Sequence, residues 1–340
     1  MVTMSIRDVA RLAGVSVGTV SNVLNRSDRV SAETAARVRS AIDELGFVPN
    51  SAARQLRVGH SSTLGFVMLD MGNPFFAEVG RGANDAAALA GLSVLLGASD
   101  QNSSREGDYL DLFEEQRVRG VLISPIGDVT PHLRRIRERG IGSVLVDRNG
   151  TGTGFSSVSV DDVAGGYAAA RHLLDQGRRR IAYLGAQFEI QQVTDRLKGA
   201  RRAIADVGGA TFEVISARGL TVSDGRDVGK SLGKRAVRSW PDAIFASNDL
   251  LAIGLVQALI LTGTARVPDD IAIVGYDDNE FASAAIIPLT TVRQPSRLLG
   301  TTAVQILLEE AADSKLEPRN VQFQPQLVVR QTSMVESGAS

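Results

Sequence analysis

"IRDVARLAGVSVGTVSNVLN" occupies residues 6–25. Ile6, Val9, Ala10 and Ala13 fall at i, i+3, i+4 and i+7, which lays one apolar face along a first short helix. Ser5 stands at its N-cap position with Asp8 three residues on. Gly14 ends that helix, Ser16 caps the next, and Val20, Val23 and Leu24 point inward. The outward positions of this second helix are Val17, Gly18, Ser21, Asn22 and Asn25, where a solvated helix usually carries Lys and Glu. Small uncharged groups turned outward fit a helix that approaches another surface. A third helix starts after Ser31, sets Val38, Ala41, Ile42 and Leu45 on one face, and stops at Gly46. Two helices joined by a tight Gly turn form a helix-turn-helix, whose second member fits a DNA major groove. A plain three-helix bundle shows the same pattern, so both readings stand at this point.

At 340 residues with 44% hydrophobic content, the chain is long enough for more than one core. It has no Cys, which rules out disulfides, thiolate metal sites and a Cys nucleophile. Arg7 and Asp8 interrupt any apolar signal-peptide core, and no run approaches the roughly 18 apolar residues of a membrane helix. The expectation is a soluble cytoplasmic protein with no membrane contact. The net charge of −1 is unevenly spread: residues 1–57 carry eight Arg against five carboxylates, and the remainder is acidic. A leading segment with excess cations matches a phosphate-facing module.

After Pro49, "NSAARQLRVGHSS" (50–62) offers Asn50 as a cap for one or two helical turns and then becomes rich in Gly and Ser. It reads as a hinge, marginal as an isolated helix. From "TLGFVMLD" (63–70) onward, apolar strands alternate with helices. The strands are "LGFVML", "LSVLLG", "GVLISP", "SVLVD", "SVSV", "RIAYLG", "FEVIS", "AIFAS" and "IAIVGYD". Helices are expected near 75–90, 104–117, 162–176, 193–207, 224–238 and 249–261. This alternation gives parallel sheets covered on both faces, and the strand count points to two such units.

Ligands of open parallel sheets bind beyond the carboxyl ends of the strands. Here those ends carry Asp70, Asp147 with Arg148, Asn248 with Asp249, and Asp277 with Asp278, while Phe75 and Phe76 follow the first strand. Carboxylates, amides and a guanidinium such as Arg196 suit hydroxyls, and an aromatic ring covers the C–H face of a sugar. Each Asp or Asn taken singly also fits a simple helix cap. Catalytic motifs are lacking. "GTGTGF" (150–155) misses the third Gly of a dinucleotide fingerprint, and "GRDVGKS" (225–231) is one residue short of a P-loop. His60, His132 and His172 are not spaced for zinc, and no G-x-S-x-G elbow exists. Trp240 reads as core packing.

With these pieces in order, the chain resembles the lac/galactose repressor family of bacterial transcription factors over essentially its full length. The carriers are "IRDVARLAGVSVGTVSNVLN", "VSAETAARVRSAIDELGFVPNSAARQL", "NPFF", "DRLKGA", "AIFASND", "VGYDD" and "PLTTVRQP". The resemblance implies a headpiece over 1–48, a hinge helix and linker over 49–61, an effector-binding core over 62–332 and a tail over 333–340. It implies an α/β core like that of periplasmic binding proteins, with two doubly wound parallel-sheet subdomains: 62–160 with 292–322, and 161–291 with 323–332. It makes Val17, Gly18 and Asn22 the base readers, places Ser21 and Asn25 on the DNA backbone, and adds Ser16, Thr19, Asn50 and Ala53 to the DNA-facing set. Leu56 becomes the apolar wedge of the minor groove. Val17 and Gly18 depart from relatives, which often carry polar or aromatic groups there, so readout falls on Asn22, Thr19 and DNA shape.

For the effector the resemblance nominates Asp70, Phe75, Phe76, Asp147, Arg148, Arg196, Leu220, Asn248, Asp277 and Gln294, with Arg148 alternatively an ion-pair partner bridging the subdomains. The expected protein is a homodimeric repressor of a pseudo-palindromic double-stranded operator, controlled by a small polyhydroxylated effector, a sugar. It is expected to be no enzyme and to need no cofactor or metal. A C-terminal coiled coil for higher assembly is not expected, since ten residues without a heptad follow Arg330. A purine or phosphoprotein co-repressor is the alternative within the family; an enzyme or a transport solute-binding protein lies outside it.

Overall fold

A computed structural model describes residues 4–25, 29–47, 61–313 and 315–334. The chain divides into two compact units, 1–61 and 62–340. In the first, helices α1 (Ile6–Leu12), α2 (Val17–Asn25) and α3 (Ala32–Leu45) surround one small core. Their ends follow the sequence closely. The Asp8 carboxylate accepts from the Ser5 backbone N–H at 3.0 Å and from its hydroxyl at 2.7 Å. Ser16 Oγ accepts from Thr19 N at 3.0 Å, and Ser31 Oγ from Thr34 N at 3.3 Å. Gly46 ends α3 in the left-handed region at φ 58°, which lets Phe47 N reach back to Ile42 O. Val9, Ala10, Ala13, Val20, Val23, Ala35, Val38, Ala41 and Phe47 are buried together. The predicted inward faces are those observed.

The second unit alternates strand and helix. In order come β1 (Thr63–Met68), α4 (Pro74–Leu89), β2 (Ser93–Ala98), α5 (Ser103–Glu115), β3 (Gly120–Ile123), α6 (Thr130–Glu138), β4 (Gly142–Val146) and β5 (Ser156–Val160). Then follow α7 (Asp162–Asp175), β6 (Arg180–Gly185), α8 (Gln191–Val207), β7 (Thr211–Ser216), α9 (Val222–Leu232), β8 (Ala243–Ala246), α10 (Asp249–Leu261) and β9 (Ala272–Val274). The chain ends with α11 (Glu280–Ala284), β10 (Thr291–Arg293), α12 (Ser296–Ala312), β11 (Asn320–Phe323) and β12 (Gln326–Val328). Six strands form one sheet in the order β11-β5-β4-β3-β1-β2, and four form another in the order β7-β6-β8-β9. Every pairing within these two sheets is parallel. β10 and β12 form a separate antiparallel pair. Among the described residues no helix is long and apolar enough to cross a membrane.

The structure adds elements that the sequence patterns missed. β11 is an edge strand with alternate residues exposed, so it lacks the continuous apolar run by which its neighbours are read. β10 and β12 have three residues each, too few for any period. α6, α11 and α12 are likewise additions to the expected helices. The helix expected over 224–238 ends at Leu232 with Gly233 as its cap, and a 3-10 turn covers Val237–Ser239.

Three helix pairs meet backbone to backbone, and each contact is made by a Gly on both partners. A Cβ on Gly82 of α4 would lie 2.0 Å from Arg297 O, and one on Gly300 of α12 would lie 2.0 Å from Val79 O. Gly166 of α7 faces Arg196 O, and Gly199 of α8 faces Val163 O. Gly225 of α9 and Gly254 of α10 repeat the arrangement. No other residue permits this approach. The α7–α8 contact sets the depth of Arg196.

Candidate functional sites

The strand ends place their polar residues around one cleft of about 430 Å³, open to solvent at its mouth. The turn after β1 supplies Asp70 and Asn73, the first turn of α4 supplies Phe75 and Phe76, and Asp147 follows β4. From the second sheet come Ile190, Gln192, Val193 and Arg196 on or beside α8, with Leu220, Ser247, Asn248 and Asp277. Two of these strand ends have unusual backbones: Asp147 sits at φ 56° and Asp277 at φ 120°. Such conformations are costly for residues other than Gly and concentrate at functional sites.

Arg196 is the centre of the charge arrangement. It is 6% exposed; its Nε donates to Asp162 Oδ1 at 2.7 Å and its Nη1 to Ser247 O at 2.7 Å. Asp277 Oδ1 lies 4.0 Å from Nη1, and the guanidinium carbon sits 3.7 Å from the centre of the Tyr276 ring. Nη2 makes no hydrogen bond to the described residues. Burial works against the cation, but Asp162, Tyr276, Asp277 and Asp147 outweigh it and fix the proton more firmly. The carboxylates shift the other way. Burial pushes Asp147 well above the usual carboxylate range, aided by the charge of Asp162 and opposed by Arg196 and Gln192. Asp277 is pushed up to about 6 by burial, against the pull of Arg196 and of hydrogen bonds from Asn73 and Gln294.

Two hydrogen-bonded contacts join the sides of the cleft. Asn73 Nδ2 donates to Asp277 Oδ2 at 3.1 Å. Gln192 Nε2 donates to Asp147 Oδ2 at 2.9 Å and also to the Asp147 carbonyl. Phe75 and Phe76 stand edge to face, with ring centres 5.0 Å apart.

Of the ten residues nominated for the effector, eight line this cleft: Asp70, Phe75, Phe76, Asp147, Arg196, Leu220, Asn248 and Asp277. Two do not. Gln294 is buried away from the cleft, where its Nε2 donates to Asp277 Oδ1 at 2.8 Å and supports that carboxylate. Arg148 turns its Nη1 to the carbonyls of Gly127 at 2.8 Å and Ile126 at 3.5 Å. Those partners belong to the same side of the cleft as Arg148, so it is no bridge between the two sheets. Among the lining residues, Asn248 uses both ends of its amide on the fold, capping α10 through Leu251 N and donating to Leu220 O. Asp249 and Asp278 serve the fold too: Asp249 holds Thr291 and Asn279 N, and Asp278 holds Arg293 and Arg330.

Sequence reasoning missed Gln192, Asn73 and Asp162. Gln192 had a usable signal, since it lies four residues before Arg196 and so shares its helix face. Asp162 follows β5 much as Asp147 follows β4. A wider concavity of about 1250 Å³ lies between β7 and α9. Arg218 and Lys230 there pair with Asp227, Arg235 pairs with Glu213, and Arg196 is not among the lining residues.

On α2, Ser16, Val17, Gly18 and Asn22 are exposed, while Thr19 and Ser21 are half-buried. Thr19 Oγ1 lies 2.9 Å from Ser16 Oγ, which ties the two hydroxyls together. The side chain of Asn25, and all of Asn50, Ala53 and Leu56, lie outside the described residues. Gly18 is informative. A Cβ there would meet only Ser16 Oγ at 3.5 Å, an ordinary contact. Gly inside a helix costs about 1 kcal/mol relative to Ala, and nothing within the described part of the unit requires it.

Comparison with known proteins gives these features a common frame. Residues 5–50 match the family model described as bacterial regulatory proteins, lacI family, and residues 170–333 match a periplasmic binding protein-like domain. The HTH-type transcriptional repressor PurR of Photobacterium profundum is 34% identical over 335 residues, spanning 96% of this chain and 98% of the relative. A transcriptional regulator CelR–cellobiose complex is 31% identical with a TM-score of 0.70, covering 97% of this chain and 99% of that one. The lac repressor dimer bound to operator and the anti-inducer ONPF is 27% identical with a TM-score of 0.84, covering 98% and 100%.

Proposed function

The chain belongs to the lacI family of bacterial regulatory proteins and is a DNA-binding transcriptional repressor of that family, and from that premise we propose that it is a homodimer whose operator affinity is set by a sugar held in the cleft. Two headpieces about 34–36 Å apart read a pseudo-palindrome. Asn22 and the smooth face of α2 enter the major groove, and Leu56 wedges the minor groove. The jaws of the core are 62–160 with 292–322 and 161–291 with 323–332, and effector occupancy changes the angle between them. Operator affinity falls because the effector favours the jaw arrangement that separates the hinges.

The observation that carries the sugar reading is the donor and acceptor set at the cleft. Asp147 Oδ1 is buried without a partner, and Asp277 lies opposite with the Arg196 guanidinium beside it. The buried Asp147 acid, the Asp277 carboxylate, one guanidinium and two aromatic faces match a ring bearing several hydroxyl groups. A purine is the second reading, favoured by the flat faces of Phe75 and Phe76. A thermal-shift screen of the full chain against pentoses, hexoses and purines decides between them, because only a ligand of the native state raises the melting temperature. Operator binding measured by fluorescence anisotropy, with and without the compound found, then tests the coupling. A sugar that stabilises the core yet leaves operator affinity unchanged removes the proposed control.

A further inference from the structure

Beside the aromatic cleft lies a second cavity of about 400 Å³, at the crossover from β5 to α7. Four carboxylates line it, Asp147, Asp161, Asp162 and Asp195, against one cation, Arg148, whose Nη1 is turned to the carbonyls of Ile126 and Gly127. From outside the lining, Arg196 answers Asp162 at 2.7 Å and Lys198 answers Asp195 at 2.6 Å. Lys198 is 63% exposed, and such a surface pair neutralises little. Among the described residues no cationic nitrogen comes within 4.0 Å of Asp147 or Asp161. Two acceptors on this lining also lack any partner: Asp147 Oδ1 and Gln192 Oε1, on side chains only 3% and 4% exposed. Buried acceptors left unmade are costly, so the site calls for donors.

The charge of the lining selects the kind of donor. An anion would be repelled by the carboxylates, and a neutral hydroxyl would leave Asp147 and Asp161 without a counter-charge. A metal ion needs several ligands converging on one point, and among the described residues no group of three acidic or imidazole side chains does so. A primary ammonium has neither defect. It carries one positive charge and spreads three N–H donors over acceptors of mixed type, carboxylate and amide alike.

We propose that this cavity is a subsite for a protonated primary amine, which donates to Asp147 Oδ1 and Gln192 Oε1 and takes Asp161 as its second counter-charge. The amine comes from one of two sources, a free aliphatic diamine or an amino group carried on the effector. Asp147 and Gln192 line both cavities, so the amine sets the charge of one wall of the cleft. The charged groups around Asp147 are Arg148 on its own turn, Asp161 and Asp162 at the start of α7, Asp195 and Arg196 of α8, and Asp277. Burial first, then Asp162, pushes Asp147 well above the usual carboxylate range against the pull of Arg196 and Gln192. An ammonium beside it favours the ionised form and drives its proton into solvent. The site does not require the effector to be a sugar, so the two readings fail separately.

The test is titration calorimetry of the full chain with putrescine, with glucosamine, galactosamine and mannosamine, and with the neutral glucose, galactose, mannose and N-acetylglucosamine. Each is run in phosphate and in MES at about pH 6, where the amines are protonated and the two buffers' different heats of ionisation report released protons. Putrescine binding alone identifies a free amine as the source. An amino sugar that binds roughly tenfold more tightly than its neutral parent places the amine on the effector. Either ligand is expected to release protons, and the neutral sugars none. Asp161→Asn keeps an oxygen to cap α7, since Asn caps as well as Asp, and removes one charge. It is expected to weaken the amine about tenfold and a neutral sugar less than about twofold. An amine that binds without proton release, or that Asp161→Asn weakens no more than a neutral sugar, overturns the site. So does the absence of putrescine binding together with amino sugars that bind no better than their parents, and the sugar reading then rests on the neutral sugars alone.

Discussion

The headpiece and the core put their candidate functional residues under opposite constraints. On α2 the outward side chains are ones the unit does not need for itself: Val17 and Asn22 are exposed, and Gly18 weakens its helix with no packing reason. In the cleft nearly every candidate residue also holds the fold. Asn73 caps α4 and clasps Asp277; Arg196 satisfies buried Asp162; Asn248 caps α10. Recognition by an exposed helix face is therefore separable from stability, and recognition by a buried cleft is not.

The largest expected effect tests the core side of this contrast. Arg196→Ala leaves Asp162 and Asp277 buried beside a lost cation, a change of the kind that costs roughly 3–5 kcal/mol. The melting temperature is expected to fall steeply together with the effector response, and Arg196→Lys is expected to restore part of the stability and little of the response. A stable Arg196→Ala variant with a normal response would break the comparison. Next comes Asn22→Ala in the headpiece, expected to weaken operator binding by roughly 1–3 kcal/mol with no change in melting temperature. Anisotropy with operator and with scrambled DNA, beside a thermal melt, reads both.

A smaller effect belongs to pH. Hydroxyl donors favour the ionised form of Asp277, whose pKa is pushed up to about 6, so effector affinity is expected to fall roughly tenfold from pH 7.5 to pH 5. The linkage to stability has the opposite sign. The folded state holds that proton more tightly than the unfolded state, so ionisation of Asp277 removes stability as pH rises from about 4 through about 6. Asp277→Asn is thus expected to abolish this pH dependence of binding and to lower the melting temperature at pH 7.5, because its amide nitrogen would replace an oxygen that accepts from Asn73 or Gln294. The smallest effect is the sharpest probe of the headpiece. Gly18→Ala is expected to stabilise that unit by about 0.5–1 kcal/mol while weakening operator binding, because the added methyl stands between helix and groove. A gain in stability with unchanged operator affinity would show that α2 does not approach DNA through that face.

Sequence patterns reached most of this arrangement, and the exceptions share a cause. Asp147 and Asp277 stood out because parallel strands aim their carboxyl ends at one edge, so a residue's place after a strand already indicates the cleft, whereas Arg196, inside α8, was nominated through the resemblance carried by "DRLKGA". Gln294 and Arg148 do not line the cleft, because the same positional rule does not say which way a side chain turns. Gln294 turned behind Asp277, and Arg148 turned to two carbonyls of its own side. Gln192 and Asn73 went unnoticed because their significance lies in partners 45 and 204 residues away.

The amino-acid order by itself determined the three-helix headpiece, the strand and helix alternation of the core and the strand ends that carry carboxylates. Each of these depends on a period or a neighbour within a few residues. Tertiary structure alone decided which of those carboxylates share a cavity, which are spent on caps and ion pairs, and that Gln192 and Asp147 stand between two cavities. Those outcomes depend on backbone contacts such as Gly166 against Gly199, which set the depth of α8 against α7 and so bring together side chains that no local rule connects.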